Sequence, residues 1–371
     1  MMLNLFIFLA LFLLAAYVVL TYYPAFGGKH TDERKSEYAK SLQYRNGRFV
    51  NQVETTWNTG FSSMISMMKD FIKGNPERRP KVPLQMTSYA PGTEKGPAAK
   101  VTWFGHSAFL LEIEGKTMLF DPMFGKAPTP FPVRNQRYSR ELPFKIEELP
   151  VIDAVVLSHD HYDHLDYGSI MKLKSKVKNF IAPLGVGAHL QRWGIAPEII
   201  QEHDWWDELS FEGLELVCAP ARHFSGRSLT DRNATLWCSW VIKGQDTKIF
   251  YSGDGGYGPH FKEIGEKYGP FDLTLMECGQ YDARWAALHM MPEETVQAHQ
   301  DVRGKLMIPV HWGAFTLSLH AWHDPVERAV RSAEEAGVQI ATPRIGETFT
   351  VGLDDYPATA WWRRIEMTGQ N

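Results

Sequence analysis

The run His159-Asp160-His161-Tyr162-Asp163-His164 directly follows an apolar segment, Ile152 to Leu157. Burying three imidazoles and the Asp163 carboxylate on hydrogen bonds alone is costly, whereas a divalent metal satisfies them together. His159 and His161, two apart, project to one side of an extended or tightly turned backbone. Asp163 and His164 are adjacent and diverge, which suits ligands of a second ion beside the first. The spacing points to a two-metal centre. The bland alternative is a solvated, His-rich loop after a strand, because such tracts are only compositional hints.

Further ligands must come from elsewhere in the chain, and each candidate follows a strand-like run of its own. Leu214 to Ala219 leads into Pro220-Ala221-Arg222-His223. Lys248 to Ser252 runs into Gly253-Asp254-Gly255-Gly256, where glycines let the backbone bend around the Asp254 carboxylate. Leu306 to Val310 ends at His311-Trp312-Gly313. One edge of a sheet sandwich carrying its chemistry on loops would read this way.

The order of these residues resembles that of the metallo-β-lactamase superfamily. The resemblance implies an α/β fold, a four-layer αββα sandwich with two zinc ions at one edge of its sheets. By the same resemblance His159, His161 and His223 would hold one zinc, Asp163, His164 and His311 the other, and Asp254 would bridge them. Segments outside the ligands are similar to a narrower branch, the N-acylphosphatidylethanolamine-hydrolysing phospholipases D. They include GRFVN at Gly47 to Asn51, TWFGHSAFLLEIEG at Thr102 to Gly115, DPMF at Asp121 to Phe124, DWW at Asp204 to Trp206, LWCSW at Leu236 to Trp240, and HWGAF at His311 to Phe315. The similarity spans roughly residues 44 to 350.

That branch implies a zinc-activated hydroxide attacking phosphorus, releasing an N-acylethanolamine and a phosphatidate from a phospholipid. Asp163 and Asp254 would be catalytic as well as ligating, Asp163 orienting the nucleophile. His289, near Tyr281, Arg284 and Trp285, would contact phosphate or protonate the leaving oxygen. His106 matches the branch as a residue near the site rather than a ligand. The runner-up is a hydrolase of a lactone or small phosphorylated metabolite, and a non-enzymatic metal-binding scaffold is a third class.

Composition fits one enzyme domain with attachments: 44% of residues are hydrophobic and 13% aromatic, including 12 Trp. Most of these rings are expected in the core. A net charge of −4, without a long basic tract, gives no sign of a nucleic-acid partner. Cys218, Cys238 and Cys278 have no CxxC spacing and read as small core residues. A homo-oligomer is compatible with this composition.

Leu3 to Tyr23 is a 21-residue apolar stretch, and the first charged side chain is Lys29. As a helix it would be about 31 Å long, matching a hydrocarbon core of about 30 Å. An uncleaved single-pass anchor is favoured over a signal peptide, since no Lys or Arg precedes the run and no convincing small-x-small cleavage site follows it. Lys29, Arg34, Lys35 and Lys40 then place the catalytic part in the cytoplasm by the positive-inside rule.

The chain divides into an anchor (1–23), a linker with an amphipathic segment (24–98), a catalytic domain (99–352) and a C-terminal tail (353–371). In the linker Phe61, Met64, Ile65, Met68, Phe71 and Ile72 recur at helical spacing. This stripe would pack on the catalytic domain, lie on lipid or guide an acyl chain. Pro91-Gly92 and Gly96-Pro97 mark a loop into the core, which opens with a meander over 100–104, 108–113 and 117–121. Further strands are expected at 209–211, 214–219, 236–242, 248–251, 273–276 and 306–310, with helices near 167–175, 258–267, 292–302 and 325–336.

Overall fold

A computed structural model describes residues 2–56, 60–89, 96, 98–131 and 135–368. Pro91, Gly92 and Pro97, expected in the loop before the core, lie outside the described residues. The N-terminal part comprises α1 (Met2–Tyr22), α2 (Asp32–Tyr38), a hairpin of β1 (Tyr44–Arg45) and β2 (Arg48–Phe49), and α3 (Phe61–Lys73). Then come β3 (Lys100–Trp103), β4 (Phe109–Ile113), β5 (Lys116–Phe120), β6 (Ile152–Val156), α4 (Tyr167–Leu173), β7 (Val177–Pro183), α5 (Gly187–Arg192) and β8 (Ile200–His203). The second half holds β9 (Glu208–Phe211), β10 (Leu214–Ala219), β11 (Ser239–Lys243), β12 (Lys248–Tyr251), α6 (His260–Tyr268), β13 (Phe271–Glu277), α7 (Pro292–Asp301) and β14 (Gly304–Val310). It closes with α8 (Asp324–Ala336), β15 (Gln339–Ile340), β16 (Thr348–Thr350) and α9 (Trp361–Thr368).

Two 7-stranded sheets result, ordered β16-β3-β4-β5-β6-β7-β8 and β15-β14-β13-β12-β11-β10-β9. The period-2 alternation of strand side chains sorts them into layers. Phe109, Leu111, Phe120 and Val156 of the first sheet meet Leu216, Trp240, Tyr251 and Leu275 of the second between the sheets. Their neighbours Leu110, Leu119 and Val155 face outward, under Ile170 and Leu173 of α4 and Leu190 of α5. Val217, Val241, Phe250 and Met307 face the other way, under Phe261 and Ile264 of α6 and Val296 of α7. Both sheets are thus covered on both faces, which is why their strands read as apolar runs rather than alternating ones. The order is helix, sheet, sheet, helix, the four-layer sandwich expected from the resemblance.

Strand direction decides where the loops gather. β5, β6, β7 and β8 run parallel to one another, as do β12, β13, β14 and β15. β11 is antiparallel to both β10 and β12, so β10 points the same way as β12. The loops after β10, β12 and β14 therefore leave the second sheet on one side.

Some elements differ from the sequence reading. The strand expected over 236–242 begins only at Ser239. Leu236 N and Cys238 N donate instead to the carbonyls of Leu184 and Ser158, loops of the first sheet, at 2.8 and 2.9 Å. β7 and β8 carry Lys178, Gln201 and Glu202, which broke the apolar pattern needed to recognise them. The three cysteines are free and buried. In the C-terminal segment, Trp361 of α9 stacks on Trp312 at 5.5 Å between ring centroids.

Among the described side chains of α1 none is buried, and Asn4–Tyr22 is long and apolar enough to cross a membrane. In α3, Met64, Met68, Phe71 and Ile72 are exposed, so its apolar stripe is not absorbed by the catalytic core.

Candidate metal centre

His159, His161, Asp163 and His164 lie just beyond β6, His223 beyond β10, Asp254 beyond β12 and His311 at the end of β14. Gly253 makes the Asp254 turn possible: its φ is +57°, and a Cβ there would meet the Cys238 carbonyl oxygen at 2.5 Å. His106 and His311 also adopt left-handed backbone, at φ 55° and 69°. Each costs about 1–3 kcal/mol and persists because neighbours hold it. Here the two hold each other across the sheets, His106 N donating to Trp312 O (2.8 Å) and His311 N to His106 O (3.0 Å).

The structure brings all seven expected ligand residues together. His161 Nδ1 lies 2.9 Å from His159 Nε2 and 3.2 Å from His223 Nε2. Asp163, His164 and His311 form a second group, joined by His106. Asp254 stands between the two groups. Its Oδ2 is 3.0 Å from Nε2 of both His164 and His311, and 3.9 Å from Nε2 of both His159 and His223. One carboxylate oxygen thus faces nitrogens from both sets. His289 lies beside them, its ring stacked on His311 at 5.2 Å and edge-on to His223 at 5.1 Å.

Burial, reinforced by neighbouring imidazoles, holds His159 and His223 well below the ordinary histidine value. Burial also lowers His161. All three are therefore neutral near pH 7, with lone pairs to donate. At His164 burial is outweighed by the Asp254, Asp163 and Asp121 carboxylates, which push it up to about 10. Asp254 and Asp163 are held well below the usual carboxylate range, because the His164 imidazole and its neighbours outweigh their burial. The carboxylates at the centre demand positive charge, and a divalent ion supplies it while accepting the imidazole lone pairs. One buried atom at the centre, Asp254 Oδ1, also lacks a hydrogen-bond partner. A converging set of nitrogen and oxygen donors with such an orphaned oxygen fits a metal.

Residues that orient these ligands were largely missed from sequence. Asp121, opening the Asp-Pro turn after β5, accepts from Ser158 N (2.8 Å) and binds His164 Nδ1 (2.7 Å), which turns His164 Nε2 inward. Glu277, fully buried at the end of β13, binds His289 Nδ1 at 2.9 Å and lies 3.5 Å from His311 Nδ1. An acidic residue at the end of a strand was the one local hint for both. His106 Nε2 binds Asp163 Oδ2 at 2.9 Å, and burial lowers its value to about 3, so it acts as a neutral donor. Asp121→Asn is expected to weaken metal binding by about 10–100-fold in chelator competition. Unchanged affinity would remove His164 from the ligand set.

Motifs outside the ligands turn out to hold their backbones. Trp240 Nε1 donates to Leu157 O (2.9 Å), just before His159, and Trp103 Nε1 to His106 O (2.8 Å). Asn51 brackets His223, Nδ2 donating to its carbonyl (2.8 Å) and Oδ1 accepting from its N–H (3.1 Å). Trp237 Nε1 donates to the same Asn51 Oδ1 at 3.0 Å.

The segment after α1 reaches the back of the His159–His164 loop. Arg227, buried, places Nη1 between the carbonyls of Asp160 (2.5 Å) and Leu165 (2.8 Å), which flank His161 to His164. Its Nε and Nη2 donate to Ala25 O at 3.0 and 2.8 Å. His189 accepts from Gly28 N on Nδ1 (3.0 Å), so its Nε2 carries the proton it shares with Asp160 Oδ2 (3.3 Å).

Residues 116–312 match the family model described as "Beta-lactamase superfamily domain". An uncharacterized protein of Mycobacterium tuberculosis is 39% identical over 349 residues, 92% of each chain. N-acyl-phosphatidylethanolamine-hydrolyzing phospholipase D 1 of Caenorhabditis elegans is 34% identical over 229 residues, 58% of this chain and 64% of that protein. The mitochondrial N-acyl-phosphatidylethanolamine-hydrolyzing phospholipase D of Saccharomyces cerevisiae is 32% identical over 259 residues, 67% of this chain and 55% of that protein. Among solved structures, a metallo hydrolase of Ignicoccus hospitalis superposes with a TM-score of 0.51 at 22% identity, covering 69% of this chain and all of the other.

Proposed function

This chain belongs to the β-lactamase superfamily, as a metal-dependent hydrolase, and from that premise we propose that it is a membrane-anchored, dinuclear zinc phosphodiesterase. Its substrate would be N-acylphosphatidylethanolamine, cleaved to phosphatidate and an N-acylethanolamine. α1 would be the anchor, with the catalytic domain on the cytoplasmic side. The relatives in Caenorhabditis elegans and Saccharomyces cerevisiae support this bond specificity.

The observation that carries the lipid reading is an apolar cavity of about 530 Å³ between α3 and the turn leading to His289. Met64, Met68 and Phe71 line one side, Trp285 and Leu317 the other. Arg284 pins α3 over this turn, its Nη1 2.9 Å from Asp70 Oδ2 while Nη2 holds Asp282 at 2.6 Å. His289 N donates to Trp285 O (3.3 Å), so the cavity wall and the site share one turn. An acyl chain entering beside Trp285 would carry its headgroup towards the metal residues.

His159, His161 and His223 would hold one ion, Asp163, His164 and His311 the second, and Asp254 both. Bound there, zinc supplies Lewis acidity towards the phosphate and water acidified to near-neutral pKa. Asp163 is the most exposed of the two central carboxylates, with a side chain 12% accessible, and it orients the attacking water. As oxygen attacks phosphorus, the bond from phosphorus to the ethanolamide oxygen breaks in line. Glu277 accepts from His289 Nδ1–H, and the imidazolium form of that ring would give its Nε2 proton to the leaving oxygen.

Met68→Asp with Phe71→Asp is expected to lower turnover of the lipid in mixed micelles by about tenfold or more, through loss of apolar burial. Hydrolysis of a short-chain soluble phosphodiester should be unchanged. Equal losses on both substrates would count against the cavity as an acyl site. Failure of the metal-loaded protein to release phosphatidate would overturn the substrate itself, and activity on lactones instead would favour the alternative hydrolase.

A further inference from the structure

A second cavity of about 530 Å³ opens where α1 ends, away from the metal residues. Leu20, Thr21 and Tyr22 of α1 form part of its wall. Lys29, Lys35, Arg48, Arg192 and Arg232 line it against one carboxylate, Asp231. A concentration of positive charge in a chain of net charge −4 calls for an anion.

Five cations against a single carboxylate leave the lining with a net positive charge. Asp231 Oδ1 is engaged by the backbone N–H groups of Arg227 (3.1 Å) and Ser228 (2.7 Å). Lys35 pairs with Asp32 at 3.1 Å, but both are exposed, so the pair is weak. Arg192 Nη2 meets the Thr21 and Tyr22 carbonyls, each at 3.3 Å, and so fixes the end of α1 to this wall. Arg48 sits directly opposite Arg45 in the β1–β2 hairpin. Like charges facing each other across strands are destabilising, and an anion beside them relieves the repulsion.

The rim adds an apolar element. Leu229, between the lining residues Ser228 and Thr230, is 89% exposed. An apolar tip, guanidinium groups suited to phosphate and the end of a bilayer-length helix come together here, and with α1 across a bilayer they would lie at the depth of a lipid headgroup.

We propose that this cavity binds the phosphate headgroup of an anionic phospholipid, taken from the bilayer that α1 enters and distinct from the substrate. The inference rests on the reading of α1 as an anchor. Gly27 and Gly28 line the same cavity, and Gly28 holds His189, which holds Asp160. A bound headgroup would therefore brace the segment that backs the metal loop.

Native mass spectrometry of the full chain released from mild detergent tests this, with phosphatidylglycerol and phosphatidylcholine of matched acyl chains as probes. The wild type is expected to retain phosphatidylglycerol in preference, on the order of tenfold. Lys29→Glu with Arg48→Glu should bring the ratio near one, and the milder Lys29→Gln with Arg48→Gln should lower it. Metal content should be unchanged in both. Equal retention of the two lipids by the wild type, or an undiminished preference in the variants, would overturn the proposal. So would binding of millimolar inorganic phosphate with no lipid preference, which marks a free-anion site. Alkaline carbonate extraction separates the two readings: release from membranes defeats the anchor and this inference with it, whereas retention without lipid preference defeats the inference alone.

Discussion

Replacing Asp254 by alanine is expected to lower hydrolysis by at least about a thousandfold, the scale seen when one member of a concerted constellation is lost. Its Oδ2 is the oxygen that faces both groups, 3.0 Å from the His164 and His311 nitrogens and 3.9 Å from those of His159 and His223. Without it neither group has its shared carboxylate, and the positive charge of the two proposed ions would lose its central counter-charge. Metal content measured after dialysis should fall from two ions per chain to one or none. Chelator should lower the melting temperature of the wild type markedly, since an ion present at a thousandfold its Kd stabilises by about 4 kcal/mol. The variant should respond far less. Circular dichroism should be retained, because the inter-sheet core of Phe109, Phe120, Trp240 and Tyr251 is untouched. Two ions retained with activity within tenfold of wild type would sink the dinuclear assignment.

The second large effect is expected at Arg227, whose guanidinium is engaged by backbone carbonyls behind the metal loop. Arg227→Met leaves the carbonyls of Ala25, Asp160 and Leu165 without their donor. Each unpaired buried carbonyl costs about 1–3 kcal/mol. Removing a buried cation offsets part of this, so the net loss is about 2–4 kcal/mol. A melting temperature lower by about 5–10 °C follows for a domain of this size. Metal affinity should drop by about 10–100-fold, because the two bracketed carbonyls set the ends of the loop carrying His161, Asp163 and His164. Arg227→Lys keeps the charge but not the planar fork, and should recover only part of either loss. Gly28→Ala probes the same coupling from the other side: a Cβ there would meet Ala188 O at 2.0 Å and push the segment off His189. If Gly28→Ala leaves metal affinity intact while Arg227→Met does not, the loop is held by Arg227 alone and the post-anchor segment is a passive covering.

The residues able to hold metal were legible because ligands need particular side chains, and those side chains cannot be exchanged for others. His159, His161, Asp163 and His164 announce themselves by spacing, and His223, Asp254 and His311 by following apolar strands. Asp121 and Glu277 were not legible as part of the site. A carboxylate that orients an imidazole is chemically the same as one on the surface, and only the approach of β5 and β13 to the site distinguishes it. Trp240 and Trp237 looked like core residues, and they are buried; their indole N–H groups are what tie that core to the loops. The stripe on α3 was ambiguous because helical periodicity shows that a face is apolar and not what covers it.

By itself, then, the sequence determined the kind of chemistry, the two strand-rich halves and the helix able to span a membrane, since these depend on residue type and local period. Tertiary structure alone decided which carboxylates orient which histidines, that Arg227 joins the post-anchor segment to the metal loop, and that five cations collect at the end of α1. Each of those contacts joins residues far apart in the chain, and their meeting is set by sheet order and strand direction, which no local pattern encodes.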